Sequence, residues 1–199
     1  CYGRMNGFET EIFELHDKPG GLCTAWERQG YTFDGCIDWL IGSGEGSSFR
    51  RIWEELGAVQ GRRFVYRDEY LRYEGTGGKT LILYTDVDRL ERHLKELAPE
   101  DAAVIAQLTG SIRKLIGLEM PIENPGLFKG LKLILGVLPA LGVMRKYGRV
   151  SMEDFARRFS NPFLREAFTA LQGDMTGFPA AVMMFPLAAL EKRDAGYPI

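Results

Sequence analysis

Apolar and polar positions follow two different periods along this chain, and the change between them falls near Asp86. Before it, apolar residues come in short runs. Thr10–Glu14 (TEIFE) alternates between Gly7 and the turn cluster Asp17-Lys18-Pro19-Gly20-Gly21, which predicts a short strand ending in an acidic residue. Tyr31–Phe33 predicts a second short strand. Ser47–Leu56 follows a Gly/Ser-rich loop and carries Phe49, Ile52, Trp53 and Leu56 at helical spacing. Arg63–Arg67, Tyr70–Glu74 and Thr80–Thr85 then have strand character, and Gly75-Thr76-Gly77-Gly78 between the last two predicts a hairpin.

From Asp86 onward the period is helical. Val87, Leu90, Leu94 and Leu97 mark one helix, and Pro99-Glu100-Asp101 opens another running to about Leu118. Phe128–Tyr147 is a third, interrupted by Pro139. Ser151-Met152-Glu153-Asp154 has the S-x-x-D form of a capping box, and two more helices fit Pro162–Leu171 and Pro179–Lys192. The expected organisation is an α/β front, a small antiparallel sheet and a helical block, which is α/β in type and α+β overall.

Composition narrows the setting. The 199 residues are 45% hydrophobic, enough to bury a core, and the formal net charge of −2 gives no basic field for nucleic acid. Three cysteines, Cys1, Cys23 and Cys36, at irregular spacing argue against a disulfide framework. With no CxxC pair and only His16 and His93, no metal site is expected. Cys1-Tyr2-Gly3-Arg4 does not open like a secretory leader, so a cytoplasmic setting is expected, and both ends read as cuts.

Two glycine-rich stretches imitate nucleotide motifs. Gly78-Lys79-Thr80 ends like a P-loop, but the glycine required five residues before Gly78 is Tyr73, and a strand follows rather than a helix. Gly42-Ser43-Gly44-Glu45-Gly46-Ser47 resembles a dinucleotide fingerprint, yet its third small residue is Ser47 and Glu45 would face a pyrophosphate. A hairpin turn and a flexible loop capping a helix are the expected roles.

The stretch Glu11–Asp34 carries more. In a dinucleotide-binding βαβ unit an acidic residue closes the second strand so that its carboxylate accepts from both adenosine ribose hydroxyls. Paired glycines just after it let backbone N–H groups approach a ligand that a Cβ would block. Counting back about 20 residues from Glu14 puts the glycine-rich phosphate loop before Cys1. Tyr2–Asn6 would then end the first helix, with Gly7 as its C-cap.

Glu14-Leu15-His16-Asp17-Lys18-Pro19-Gly20-Gly21, followed by Gly30-Tyr31-Thr32-Phe33-Asp34, resembles the flavin superfamily of phytoene desaturases, carotenoid isomerases and retinol saturases and, more distantly, amine oxidases. The terminal Gly196-Tyr197-Pro198-Ile199 resembles the start of that family's P-x-G-G segment. The resemblance implies a partial FAD-binding Rossmann-like domain over residues 1–62 and a substrate-domain portion over 63–199. It implies FAD as cofactor and a hydrophobic polyene or isoprenoid-type substrate that is desaturated, saturated or isomerised. Glu14 would bind the adenosine ribose, and Gly20 and Gly21 would line the pyrophosphate and ribityl region. Leu22, Cys23 and Thr24 would lie beside them, His16 near the adenosine, and Asp34 would order the turn near the flavin. Many relatives have Arg where this chain has Leu22, so one phosphate contact is missing. The hydride chemistry is the flavin's, so no catalytic side chain is nominated. The piece alone is expected to bind FAD weakly and to be inactive.

Leu131–Met144 is apolar, with Lys129, Lys132, Arg145, Lys146 and Arg149 around it. At about 14 residues it is too short to span a bilayer. It reads as a buried core helix, or as the wall of a lipophilic tunnel or a surface dipping into a membrane interface. Met175, Phe178, Met183, Met184 and Phe185 add soft apolar surface for a core or a greasy pocket. His93 is expected to be solvated, and Trp26, Trp39 and Trp53 to pack. The alternative for the whole chain is a non-catalytic helical module that binds lipid or a protein partner.

Overall fold

Helical spacing is the signal that carries furthest into three dimensions. The structure, a computed structural model, describes residues 1–34, 39–118, 126–171 and 177–199, without the side chains of Leu22 and residues 126–134. Cys36 and Met175 lie outside the described residues, as do the side chains of Lys129 and Lys132. In chain order the elements are α1 (Tyr2–Met5), β1 (Ala25–Arg28), β2 (Tyr31–Asp34), β3 (Leu40–Ile41), α2 (Arg50–Glu55), β4 (Phe64–Val65), β5 (Glu69–Glu74) and β6 (Thr80–Tyr84). The helical block follows as α3 (Val87–Leu97), α4 (Ala102–Ile116), α5 (Gly126–Tyr147), α6 (Met152–Ala156), α7 (Pro162–Ala170) and α8 (Ala180–Glu191), and β7 (Ala195–Pro198) closes the order. The architecture is mixed α/β with antiparallel sheets and a helical block, as the sequence pattern predicts.

The core sits in that block. Leu90 and Leu94 of α3, Ile105, Leu108 and Ile112 of α4, and Met184 and Leu187 of α8 are fully buried together, with Leu81 and Leu83 from β6. Each such side chain contributes about 1.5–3 kcal/mol through removal from water. Phe155, Phe159 and Phe168 fill the far end, Phe159 stacked on Phe168 and Phe155 edge-on to both. Caps fix where helices begin. Asp86 accepts from the Arg89 N–H, Ser151 from the Asp154 N–H, and Asn161 from Phe163 and Leu164. On the outer seam of α3 and α4, Glu91 receives Lys95, Arg113 and the Thr109 hydroxyl. Led by the Lys95 bond, these hold its carboxyl at about 2, against an ordinary 4.5.

Several expectations are corrected. Thr10–Glu14 is exposed and forms no strand, because alternation predicts only a capacity to pair and this segment has no neighbouring strand among the described residues. Pro139 does not interrupt α5. It lies on the exposed side, as does Leu135, whose carbonyl loses its helical donor there and can turn to water. That helix is also not simply a core helix. Ala140, Val143 and Tyr147 are buried, while Leu135, Leu138, Leu141 and Met144 face outward, each at least 43% exposed. His93 is half-buried rather than solvated: its Nε2 accepts the Ile82 N–H at 3.1 Å, and its ring meets Tyr84 edge-on.

The imitation motifs behave as turns. Gly75–Lys79 connects β5 to β6 in an antiparallel hairpin, with the Gly75 N–H donating to the Lys79 carbonyl at 2.9 Å. The Gly42–Ser47 loop is pressed against residues 193–196 instead of moving freely. A Cβ on Gly44 would lie 2.6 Å from the Arg193 carbonyl oxygen, so the glycine serves packing, not a phosphate. The neighbour it packs on leads into β7, the middle strand of a β3-β7-β4 antiparallel sheet. This sheet ties residues 40–41 and 64–65 to the end of the chain.

Candidate functional site

The candidate site is built on the segment that enters and leaves one glycine turn. Helix α1 ends as expected: Gly7 donates to the Arg4 carbonyl and Phe8 to the Gly3 carbonyl, both at 3.0 Å, a paired closure of the last turn. The chain then runs to Glu14 without helix or strand. There the carboxylate Oε1 accepts the N–H of Leu15 at 2.8 Å and of His16 at 3.0 Å. These bonds, His16 first and then Leu15, with Gly21 and Gly20 adding to them, hold the carboxyl below its ordinary 4.5. The turn that began as a sequence motif is thus folded around its own acid.

Positive φ is what closes the turn. Gly20 has φ 128° and Gly21 φ 56°, values that a side chain would strain. The Thr24 hydroxyl donates to the Gly21 carbonyl at 3.1 Å and fastens the exit. Strands β1 and β2 then form a hairpin around Gln29 and Gly30, and Asp34 lies opposite Ala25. Trp26 stacks on Phe33 across this hairpin with both rings still largely exposed. Of the residues the sequence nominates, Glu14, Gly20, Gly21 and Thr24 therefore come together in one turn, and Asp34 stands at the open end of the hairpin beside it. The Leu22 backbone is part of the same turn (Gly21–Cys23), and Cys23 is exposed.

An open cleft of about 590 Å³ runs along this turn, lined by His16, Asp17, Lys18, Gly21, Thr24 and the first residues of β1. Lys18 is the wall residue that the sequence reading passed over. Its place in the same Asp-Lys-Pro-Gly-Gly run was the available signal. Among the described residues no group of three His, Cys, Asp or Glu side chains could hold a metal ion.

Comparison with known proteins bears on the same stretch. A family model described as an NAD(P)-binding Rossmann-like domain matches residues 1–56. Over 194 residues the chain is 26% identical to a phytoene desaturase (lycopene-forming) of Paracoccus sp. (strain N81106 / MBIC 01143), a match covering 94% of this chain and 37% of that protein. It is 23% identical over 207 residues to an inactive all-trans-retinol 13,14-reductase of Danio rerio, covering 96% of this chain and 33% of that protein. These matches support a carotenoid-desaturase/retinol-saturase-like oxidoreductase family. The chain spans about a third of the length of these relatives. The family match falls on the glycine turn and both flanks, while the similarity to the two relatives runs on through the helical block. No helix among the described residues is long and apolar enough to cross a membrane.

Proposed function

We propose that the whole protein is an FAD-dependent oxidoreductase acting on a hydrophobic polyene or isoprenoid-type substrate. Residues 1–62 belong to its cofactor domain and residues 63–199 to its substrate domain. The observation that carries the reading is the Glu14 turn, an exposed carboxylate held by successive backbone N–H groups beside an open cleft. The turn fits a dinucleotide. Apart from its own chain neighbours, no heavy atom among the described residues lies within 4 Å of where a Gly21 Cβ would stand, so its backbone is open to a ligand.

In this reading Glu14 receives the adenosine ribose hydroxyls. Gly20 and Gly21 line the pyrophosphate and ribityl region, Leu22 and Thr24 flank them, and Lys18 places a positive charge beside the phosphates. Asp34 orders the turn next to the flavin ring. FAD, when bound, supplies hydride exchange; the residues named here bind and orient it. The glycine-rich phosphate loop belongs about 20 residues before Glu14.

Full-length protein purified without added cofactor is expected to carry flavin absorbance, and Glu14→Ala to lower its FAD occupancy at least about tenfold. The 199-residue chain alone is expected to bind FAD weakly. Colourless full-length protein with no measurable FAD affinity would overturn the reading.

A second reading, a non-catalytic lipid- or partner-binding module, has one observation in its favour. The outward apolar row on α5 is followed directly by Arg145 and Lys146. That arrangement suits peripheral contact with an anionic bilayer, which an enzyme drawing a polyene from a membrane would also use.

A further inference from the structure

The hairpin beside the glycine turn carries an aromatic face. In the β1–β2 pairing Trp26 stands opposite Phe33, and Arg28 opposite Tyr31. Residues opposite each other, or two apart on one strand, share a face. Trp26, Arg28, Tyr31 and Phe33 therefore lie together, and Glu27 and Thr32 take the other side. Every residue of both strands is exposed. Three aromatic rings left in water on one face of a hairpin mark a place for a further flat or apolar group.

Of these rings, Trp26 is the one in the wall of the cleft of about 590 Å³, which it lines together with His16, Asp17, Lys18, Thr24 and Glu27. Half of its surface stays open. Phe33 sets its ring plane, with the centroids 6.1 Å apart and the planes 14° from parallel. A ring fixed before a ligand arrives loses little freedom on binding. The charged side chains along the wall are wrong for a hydrocarbon chain. They suit a flat heteroaromatic with N–H and C=O groups on its rim.

The order of residues along the wall says which ring that is. In the flavin reading Glu14 takes the adenosine ribose, and Gly21 and Thr24 follow it along the pyrophosphate and ribityl chain. Next in the wall come Ala25, paired with Asp34, and then Trp26. We propose that Trp26 stacks on the isoalloxazine ring of FAD and holds it at this end of the cleft. The proposal rests on the flavin reading above. An indole is electron-rich and the oxidised flavin electron-poor, so the stack favours the oxidised ring over the reduced one. Trp26 thereby lowers the reduction potential of the bound flavin as well as binding it.

Full-length protein loaded with FAD tests this through Trp26→Ala and Trp26→Phe. A stacked indole quenches flavin emission by electron transfer and a phenyl ring does not, so emission of bound FAD is expected to rise severalfold in both variants. FAD affinity should fall about five- to a hundredfold in Trp26→Ala, the range for one stacked base, and far less in Trp26→Phe. The midpoint potential should rise by about 30 mV in Trp26→Ala, a tenfold change in the ratio of oxidised to reduced affinities. ADP, which lacks the flavin, should bind the apoprotein of the wild type and of Trp26→Ala equally, whereas a fold defect would weaken it too. Trp26→Phe keeps an aromatic pair with Phe33 and decides by its emission even where Trp26→Ala fails to fold. Unchanged emission and potential in protein that loads FAD would overturn the stack and leave the flavin reading standing. ADP affinity lost together with FAD affinity would also overturn it, by reducing Trp26 to a support of the hairpin. Full-length protein without FAD affinity would overturn both.

Discussion

Single residues in this protein show how far a side chain's role depends on what folds beside it. His93 follows Arg92 and precedes Leu94 and Lys95 on a helix, and sequence alone gives it a solvated face. In the structure it accepts the Ile82 N–H across the α3–β6 contact, an interaction between elements that no local pattern encodes. Burial is the chief cause holding its imidazole below the ordinary 6.5, with Arg89 adding and Glu96 opposing. The folded value lies below the unfolded one, so the unfolded chain takes up the proton first as pH falls. Stability should therefore drop as pH falls through 6.5 toward the folded value. Thermal melts between about pH 7.5 and 5.5 are expected to show this slope. His93→Leu should flatten it and cost about 1–2 kcal/mol at neutral pH by leaving the Ile82 N–H unpaired. A slope unchanged in the variant would assign the effect elsewhere. Glu14 was easier to read, because its partners, Leu15, His16 and the two glycines, are all within seven residues of it. The buried Oδ1 of Asp194, without a hydrogen-bond partner among the described residues, was hidden for the opposite reason: Gly44, 150 positions away, is what covers it.

Elements were legible in proportion to how local their cause is. The helices of the second half follow from apolar spacing and from Asp86, Ser151 and Asn161 at their starts, and the β5–β6 hairpin follows from its glycines. Strand β1 was missed because Ala25-Trp26-Glu27-Arg28 has no clean alternation and owes its pairing to β2. β3 and β7 were missed because two residues, and a Gly- and Pro-containing run, become strands only when distant segments meet. Helix α5 is the element whose pattern misleads most, since an apolar run reads as buried and Leu135, Leu138, Leu141 and Met144 of this one are not. If its outward row meets a bilayer, Leu138→Asp combined with Leu141→Asp should cut cosedimentation with phosphatidylserine-containing vesicles severalfold. Charge reversal at Lys129, Lys132, Arg145 and Lys146 should do so in a salt-dependent way. Vesicle binding unaffected by both sets of changes would reject membrane contact for this helix.

At the scale of the molecule, β7 joins the two halves. Gly196 is buried there with its N–H donating to the Ser43 hydroxyl at 2.7 Å, and a Cβ at this position would lie 2.9 Å from the Phe64 Cβ. Gly196→Val is therefore expected to disrupt both edges of the sheet at a cost of about 2 kcal/mol or more. Amide exchange should accelerate at least about tenfold over residues 40–43 and 63–66, and remain unchanged in β5, β6, α3 and α4. Uniform acceleration throughout would instead make the sheet and the helical block one cooperative unit. The same strand also sets an order of events in time. A ribosome delivers Leu40 and Phe64 long before Ala195, so β3 and β4 wait for their shared partner while the helical block between them is made. The β5–β6 hairpin and the α3–α4 pair close over short separations and can form early, whereas this sheet closes later, over a much longer loop. Until then the Gly42–Ser47 loop has nothing to press against. Changes that slow synthesis between Phe64 and Ala195 would prolong the interval in which Phe49, Trp53 and Phe64 wait for this sheet, and a nascent chain is exposed to aggregation in such an interval.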